Sequence, residues 1–284
     1  MSIKLKLTGG LGNQMFQFAA GYSIAKKRNT ELNLDLSWFN RRNLHNGFEL
    51  DNVFNIYSKV NFLNKAFSFK RFNLKEFFIK IDRTYKTFDE PHFQYTSKIN
   101  IIPEHCFLRG YWQSEKYFKD FREEIKSIFT FNKALDEENS KISQDIINNK
   151  SVSIHIRRGD FLLKRNHKHQ VDLTKYYSNA IKTVLKSYIN PKFYIFTDDF
   201  DWVSKNNFIE NNYVFVKINQ DKNSFLDMQL MSLCDVNIIA NSSFSWWSAW
   251  LNNKSDKTIF APKNWFNDAS IITDDLIPKS WNKI

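Results

Sequence analysis

The chain has 284 residues, 42% of them hydrophobic, which is enough for one large domain or two medium-sized ones. Its apolar runs fall short of the roughly 18 residues of a membrane span, and its cysteines, Cys106 and Cys234, lack metal-site or disulfide spacing. We therefore expect a soluble, cytoplasmic protein. The net charge of +11 predicts an anionic partner, a requirement that nucleic acid, an anionic membrane surface and a phosphorylated substrate all meet.

The first predicted unit is a strand, a glycine-rich turn, a helix and a second strand, at residues 3–7, 9–14, 15–27 and 31–36. The turn, Gly-Gly-Leu-Gly-Asn-Gln, lacks the Gly-Lys-Ser/Thr ending of a phosphate loop. It is either a tight turn with a helix cap or a place where backbone approaches a ligand closely. In the second case, Asn13 and Gln14 offer amides to that ligand.

The middle of the chain carries much of the excess charge. Between Lys59 and Arg83, seven basic residues are interleaved with six phenylalanines. One interpretation is that this segment lies peripherally on anionic headgroups at the inner face of a membrane. The other is that it forms the amphipathic outer wall of a subdomain, with its phenylalanines facing inward and its lysines facing outward. Further on, Ser114 is predicted to cap a helix over residues 115–129. The polar segment 139–150 is the expected boundary between domains 1–148 and 149–284.

From residue 151 onwards, strands and helices alternate, which predicts a parallel, Rossmann-like sheet. The predicted strands are residues 152–156, 193–197, 213–216, 236–240 and 258–261. The predicted helices are residues 174–187, 200–206, 224–234 and 244–251.

Two adjacent arginines, Arg157 and Arg158, follow the first of these strands. Guanidinium groups at the carboxyl edge of a parallel sheet suit phosphate oxygens, and two together are costly to place without anions. One of them can hold Asp160 in the turn, and at least one is expected to meet a ligand phosphate. His155 lies on the same face of the strand as Arg157, although a histidine there without such neighbours is usually a core residue.

Acidic residues follow two later elements. Asp198 and Asp199 end a strand, where they either cap the next helix, bind sugar or ribose hydroxyls together with Arg157, or serve as a metal or acid–base pair. Asp227 lies early in a helix, where it either favours the helix dipole or accepts two hydrogen bonds from a guanine edge.

The run Asn241-Ser-Ser-Phe starts the last predicted helix and follows an apolar strand. Hydroxyls and backbone amides at a helix start form a natural diphosphate cradle, here from Ser242, Ser243 and Phe244. The tryptophans that follow are at helical spacing, and packing is favoured over a role as sugar platforms for Trp246, Trp247 and Trp250. Two polar turns that each follow a strand predict one nucleotide-diphosphate site.

As a set, these motifs resemble those of the bacterial α-1,2-fucosyltransferases. The resemblance rests on Gly9-Gly-Leu-Gly-Asn-Gln14, His155-Ile-Arg-Arg-Gly-Asp160 and Asn241-Ser-Ser-Phe-Ser-Trp-Trp-Ser-Ala-Trp-Leu251, with support from residues 47–56 and 110–118. It implies an α/β, GT-B-like fold with two Rossmann-type domains facing across a cleft. It also implies GDP-β-L-fucose as donor, inversion to an α-1,2 linkage, and no divalent metal or other cofactor.

The resemblance also implies roles for individual residues. Arg157 would contact the β-phosphate with Arg158 beside it, and Asn13 would lie near the reacting centre from the other domain. The remaining donor contacts would come from His155 and Asp227 (guanosine), Asp199 (donor), and Ser242, Ser243 and Phe244 (diphosphate). The related α-1,6 enzymes carry a carboxylate just beyond the arginine motif, and residues 161–165 contain none.

The implied partners are a sugar-nucleotide donor and a glycan acceptor, the latter a terminal galactose of a surface glycan or its lipid-linked precursor. Nucleic acid is not expected. Two alternatives are a basic nucleic-acid-binding protein, for which residues 59–83 are the one candidate surface, and an inactive sugar-nucleotide-binding protein. The first leaves the strand-end motifs unexplained, and the second would predict losses in those motifs, which are intact.

Overall fold

The computed structural model describes residues 2–41, 46–56, 59–62, 85–206, 208–209 and 212–284. The chain divides into two compact units, Met1–Asn132 and Lys133–Ile284. Residues 63–84 lie outside the described ranges, so both interpretations of the basic segment stay predictions. Among the helices that are described, none is long and apolar enough to cross a bilayer.

The first unit contains a parallel five-stranded sheet in the order β3-β2-β1-β5-β4. Its strands are β1 (Ser2–Lys6), β2 (Glu31–Asp35), β3 (Asn61–Phe62), β4 (Lys86–Asp89) and β5 (Cys106–Arg109). Its helices are α1 (Leu11–Lys27), α2 (Leu50–Val53) and α3 (Arg122–Ile128). The predicted strand–turn–helix–strand beginning is therefore confirmed.

The helix predicted over residues 115–129 is wrong in its extent. Ser114 does cap its start, because its Oγ accepts the Lys116 N–H at 3.3 Å. The segment then breaks into two 3-10 turns before α3 begins. Phe118 has a non-helical φ of −132° and is fully buried, with its ring centroid 6.3 Å from that of Phe16. Burial of this ring overrides the local helical preference.

The second unit contains a parallel six-stranded sheet in the order β11-β10-β9-β6-β7-β8. Its strands are β6 (Ser151–Ile156), β7 (Lys192–Thr197), β8 (Tyr213–Val216), β9 (Val236–Ile238), β10 (Thr258–Ala261) and β11 (Asn282–Lys283). Its helices are α4 (Glu137–Ile147), α5 (Thr174–Ser187), α6 (Phe200–Asn206), α7 (Phe225–Met231) and α8 (Ser243–Leu251). The five predicted strands and four predicted helices are all present, and β11 was not predicted.

The polar segment 139–150, where we expected the domain boundary, is largely the helix α4. Its N-cap is Asp136, whose carboxylate accepts the Asn139 N–H at 2.9 Å. The division between the units comes earlier, after Asn132, so α4 belongs with the second sheet.

Helices cover both faces of the second sheet, because its strands are apolar on both sides. Ile154 and Ile195 belong to a buried cluster with α5, whereas Tyr194 and Phe196 belong to a second cluster with α7 and the end of α4. This alternation has the two-residue period of a strand.

Strand order reverses once in the second sheet, where the chain runs from β6 outward to β8 and returns on the other side of β6 with β9. Open parallel sheets bind ligands outside the carboxyl ends of their strands, at the point where the order reverses. The second unit therefore has one such point, which β6 and β9 flank. The first sheet has a different order, in which the chain crosses from β3 at one edge to β4 at the other, and its first and last strands, β1 and β5, are neighbours.

The tryptophans of α8 are core residues, as predicted. Trp246, Trp247 and Trp250 are at most 1% exposed, and the ring centroids of Trp247 and Trp250 are 5.1 Å apart. The Trp246 indole N–H also donates to the Leu276 carbonyl oxygen at 2.8 Å. Helix α8 is thereby fixed in position at the carboxyl end of β9.

Replacing Trp250 with alanine should lower the free energy of unfolding by about 3–5 kcal/mol, because it leaves a cavity in a fully packed cluster. Urea denaturation monitored by far-ultraviolet circular dichroism measures the change. The matched control is Ile189→Ala at a side chain that is 96% exposed, where the change should stay within about 0.5 kcal/mol. Equal effects of the two substitutions would contradict this packing.

Candidate functional site

The two arginines that follow β6 pair with the two aspartates that follow β7. An Arg157 Nη1 to Asp198 Oδ2 distance of 2.8 Å and an Arg158 Nε to Asp199 Oδ2 distance of 2.9 Å define two adjacent ion pairs. The Arg158 backbone N–H also donates to Asp198 Oδ1 at 2.8 Å. The two carboxylates thus orient both guanidinium groups, and we call these four residues the Arg–Asp cluster.

Asp199 has a second role at the start of α6. Its Oδ1 accepts the Trp202 N–H at 3.0 Å, as expected for a helix-capping carboxylate. Partial burial favours a higher pKa for Asp199, but the hydrogen bonds from Arg158 and Trp202 outweigh it and hold the pKa below its usual range. The metal or acid–base interpretation of this carboxylate pair is not favoured, because both members are engaged by arginines.

Gly159 is required by the close approach of the Asp198 carboxylate. A Cβ at this position would lie 2.7 Å from Asp198 Oδ2, so any other residue would displace the Asp198 carboxylate from its place beside Arg157. The Arg158 guanidinium also lies 4.2 Å from the centre of the Trp202 ring. Asp199 and Trp202 therefore hold Arg158 on two sides. The Arg157 guanidinium is held by Asp198 and lies 5.9 Å from the centre of the Phe161 ring, and both arginine side chains remain partly exposed, so an anion can reach them.

His155 connects the arginine motif to the start of α8. It is 8% exposed, and its ring centroid lies 5.8 Å from that of Phe244. Burial, with a smaller contribution from the Arg157 charge, lowers its pKa to about 4, so the ring is neutral at pH 7. Its Nδ1 has no hydrogen-bond partner within the described parts of the chain. A buried nitrogen without a partner is unusual for a core histidine and is consistent with a ligand contact.

The start of α8 is arranged as the sequence predicts. Ser242 is the N-cap, and its Oγ accepts the Phe244 N–H at 3.3 Å. The Asn241 side chain fixes the preceding turn by donating to the carbonyl oxygens of His169 and Trp265, both at 3.0 Å. The first N–H groups of a helix have no intrahelical acceptor and carry a positive partial charge, which suits an anion beside Ser243.

Asp227 is a carboxylate whose pKa is strongly raised. It is half-buried in the first turn of α7, and burial raises its pKa to about 7 despite a 2.8 Å hydrogen bond from Asn219 Nδ2. The Asn219 amide in turn exchanges hydrogen bonds with that of Asn139 at 2.7 and 2.9 Å. Sequence analysis identified neither asparagine. Hydrogen bonds between described residues do not join Asp227 to the Arg–Asp cluster.

Asn13, the predicted site residue of the first unit, lies in the first turn of α1. Its Oδ1 accepts a hydrogen bond from Gln113 Nε2 at 2.8 Å. The expectation that Gln14 offers its amide to a ligand is wrong. Gln14 is buried, donates to the carbonyl oxygens of Gly9 and Gly47, and accepts the Glu49 N–H at 2.9 Å.

The structure supports the interpretation of the glycine segment as a tight turn, and the approach of its backbone to a ligand stays a prediction. Gly9 has a φ of +78°, and a Cβ there would lie 2.7 Å from Asn13 Nδ2. The turn therefore needs glycine both for its backbone conformation and for the approach of the Asn13 amide.

The described residues contain no cluster of three or more histidine, cysteine, aspartate or glutamate side chains that could hold a metal ion. Both cysteines are buried, and burial raises the pKa of Cys106 to about 11 and that of Cys234 to about 12. Neither thiol is activated as a nucleophile.

The chain matches a family model and several known proteins along nearly its whole length. The family model described as "Glycosyl transferase family 11" matches residues 2–284. An α-1,2-colitosyltransferase of Escherichia coli is 37% identical over 98% of this chain and 97% of its own length. The O-antigen biosynthesis glycosyltransferase WbnK of the same species is 33% identical over 95% of this chain and 97% of its own length.

Among solved structures, NodZ α-1,6-fucosyltransferase soaked with GDP-fucose matches with a TM-score of 0.52 at 13% identity, covering 88% of this chain and 92% of its own. This likeness confirms the predicted α/β, GT-B-like fold with two Rossmann-type sheets. Because the family model spans nearly every residue, and relatives above 30% identity cover almost all of the chain, the family predicted from the motifs is confirmed: the chain is a glycosyltransferase and belongs to glycosyl transferase family 11.

Proposed function

We propose that this glycosyltransferase moves L-fucose from GDP-β-L-fucose to the 2-hydroxyl of a terminal galactose, with inversion and without a divalent metal. The acceptor would be a surface glycan or its lipid-linked precursor. The observation that carries the proposal is the Arg–Asp cluster at the carboxyl ends of β6 and β7. Strand β6 also borders the point where strand order reverses, and its His155 ring lies 5.8 Å from that of Phe244 at the start of α8. The net charge of +11 favours peripheral binding of the enzyme to the anionic inner face of a membrane.

The departing diphosphate needs positive charge as the glycosidic bond breaks. Arg157 supplies a guanidinium that Asp198 already orients, and the first turn of α8 supplies backbone N–H groups beside Ser242 and Ser243. Donors fixed before the reaction stabilise the developing charge without reorganisation. Together they perform the role that a divalent cation has in other glycosyltransferases.

The guanosine part requires acceptors for the N–H groups of its base. The Asp227 carboxylate, oriented by Asn219, can accept two such hydrogen bonds in its ionised form. His155 is neutral, and its buried Nδ1 has no hydrogen-bond partner among the described residues, which suits a contact with the nucleoside.

The acceptor hydroxyl needs orientation more than a strong base. An oxocarbenium-like transition state develops before the acceptor oxygen has to lose its proton, so a phosphate oxygen or water can take that proton late. Asn13, whose amide Gln113 holds in place, would orient the hydroxyl. An Asn13→Ala variant with wild-type turnover would remove Asn13 from the mechanism.

A second donor is supported by one comparison. The E. coli relative at 37% identity is named a colitosyltransferase, and colitose is L-fucose without its 3-hydroxyl. The same diphosphate and guanine contacts would bind either GDP-sugar. The alternative function is therefore transfer of colitose to the same position.

The proposal is tested by incubating the protein with a terminal β-galactoside and either GDP-β-L-fucose or GDP-colitose. We expect release of GDP with GDP-fucose and a product whose NMR spectrum shows an α-1,2 linkage. Faster transfer from GDP-colitose would establish the alternative donor. GDP release without a new glycoside, or no turnover of either donor, would contradict the transferase function.

Arg157→Ala should lower GDP affinity by about tenfold to a hundredfold, because it removes a charge-assisted contact worth about 1.5–3 kcal/mol. Turnover should fall as well. The matched control is Arg122→Ala, since Arg122 also forms one ion pair, at 2.9 Å with Glu115. Calorimetric titration gives both affinities, and equal GDP binding by Arg157→Ala and wild type would exclude Arg157 from the phosphate site.

GDP affinity should depend on Asp227 ionisation. With a pKa of about 7, the ionised fraction falls about tenfold between pH 8 and pH 6, and the apparent dissociation constant should rise by about that factor. His155, with a pKa of about 4, stays neutral across this range.

The control for this pH dependence is Asp227→Asn, because the terminal phosphate of GDP also titrates, near pH about 6. The variant should bind GDP more weakly at pH 8 and keep only the pH dependence of the phosphate. Identical pH profiles for variant and wild type, measured by calorimetry, would show that Asp227 does not receive the base.

A further inference from the structure

The first and last strands of the first sheet lie side by side, and the proposed function places only Asn13 at their carboxyl ends. These strands are β1 and β5. The turn after β1 leads into α1, and the segment after β5 is Gly110–Gln113. Because both strands are parallel, these two loops emerge at the same edge of the sheet.

The Gly110–Gln113 segment is held in an unfavourable conformation. Trp112 is fully buried and has a φ of +57°, a left-handed conformation that bulky residues rarely adopt. The half-buried Glu90 carboxylate accepts the backbone N–H groups of Tyr111 and Trp112 at 2.7 and 3.0 Å. Burial raises the pKa of Glu90, which shows that its charge is partly desolvated. A strained backbone conformation costs free energy, and proteins keep such conformations mainly at functional sites, where they fix the position of groups that bind or react.

Side chains of α1 hold both ends of the segment. Gln17 Nε2 donates to the Gly110 carbonyl oxygen at 3.0 Å, and Gln113 Nε2 donates to Asn13 Oδ1 at 2.8 Å. The residues between these hydrogen bonds are therefore in fixed register with Asn13.

The side chain that this arrangement presents outward is Tyr111. It is 42% exposed, and its ring is stacked nearly parallel to that of Phe93, with an interplanar angle of 9° and centroids 6.1 Å apart. A single exposed aromatic residue is ordinary. Here, however, the ring is backed by a second aromatic ring and held by a strained, hydrogen-bonded backbone.

We propose that the Tyr111–Phe93 pair is a stacking platform for the acceptor sugar, at the carboxyl ends of β1 and β5, where Gln113 of the same segment is hydrogen-bonded to Asn13. A β-galactoside has one face formed by the hydrogens on C3, C4 and C5, and that face packs on a flat aromatic ring. Its hydroxyls then remain at the rim, where polar groups can bind them. The inference rests on the proposed function and adds a specificity-determining residue to it.

The test compares Tyr111→Ala, Tyr111→Phe and the control Tyr213→Ala, whose side chain is also 42% exposed but lies in the second unit. Initial rates are measured against lactose at saturating donor, using whichever GDP-sugar the wild type transfers. Tyr111→Ala should raise the KM for lactose by about tenfold or more and leave GDP affinity unchanged. Tyr111→Phe keeps the ring and should stay within about threefold, as should the control.

Saturation-transfer NMR of lactose on the GDP-bound protein gives a readout that does not depend on turnover. We expect the galactose H3, H4 and H5 signals in wild type and Tyr111→Phe, and their loss in Tyr111→Ala. Normal transfer with an unchanged KM in Tyr111→Ala would overturn the platform alone. Lactose binding through Tyr111 without transfer would overturn the transferase function alone, and absence of both in wild type would overturn both.

Discussion

The pairing of two arginines with two aspartates across neighbouring strands is the interaction on which the second unit's site depends. Ile156 is in register with Thr197 where β6 and β7 end, so the next residues of each strand face each other. The register of the two strands therefore places Arg157 opposite Asp198 and Arg158 opposite Asp199, where they form ion pairs. Without those carboxylates, two adjacent guanidinium groups would repel each other. With them, both are oriented before a diphosphate arrives, which is the condition for efficient charge stabilisation.

The two units present different groups at the carboxyl ends of their parallel sheets. In the second unit, two arginines and two aspartates follow β6 and β7. In the first unit, the amides of Asn13 and Gln113 are hydrogen-bonded to each other, and Tyr111, from the same segment as Gln113, stacks on Phe93. Guanidinium groups suit the anionic donor that we propose for the second unit, whereas amides and aromatic rings suit the hydroxyls and C–H faces of the acceptor that we propose for the first.

Sequence patterns predicted the elements that have strong periodicity and the motifs that follow strands. They failed where tertiary contacts determine the local conformation. Burial of Phe118 breaks the helix predicted after Ser114. The segment that was expected to be the domain boundary forms most of helix α4. The Arg–Asp pairs depend on the register of β6 and β7, which sequence alone does not specify. Asn139 and Asn219 are 80 residues apart, and no local pattern links them.

We propose that the Arg–Asp cluster and the start of α8 bind the diphosphate of a guanine nucleotide without a metal ion. The deciding measurement is calorimetric titration of the protein with GDP, ADP and UDP in excess chelator. We expect GDP to bind under these conditions and ADP and UDP to bind at least about tenfold more weakly, a difference of about 1.4 kcal/mol. Absence of GDP binding, equal binding of all three nucleotides, or binding that requires a divalent ion would contradict it.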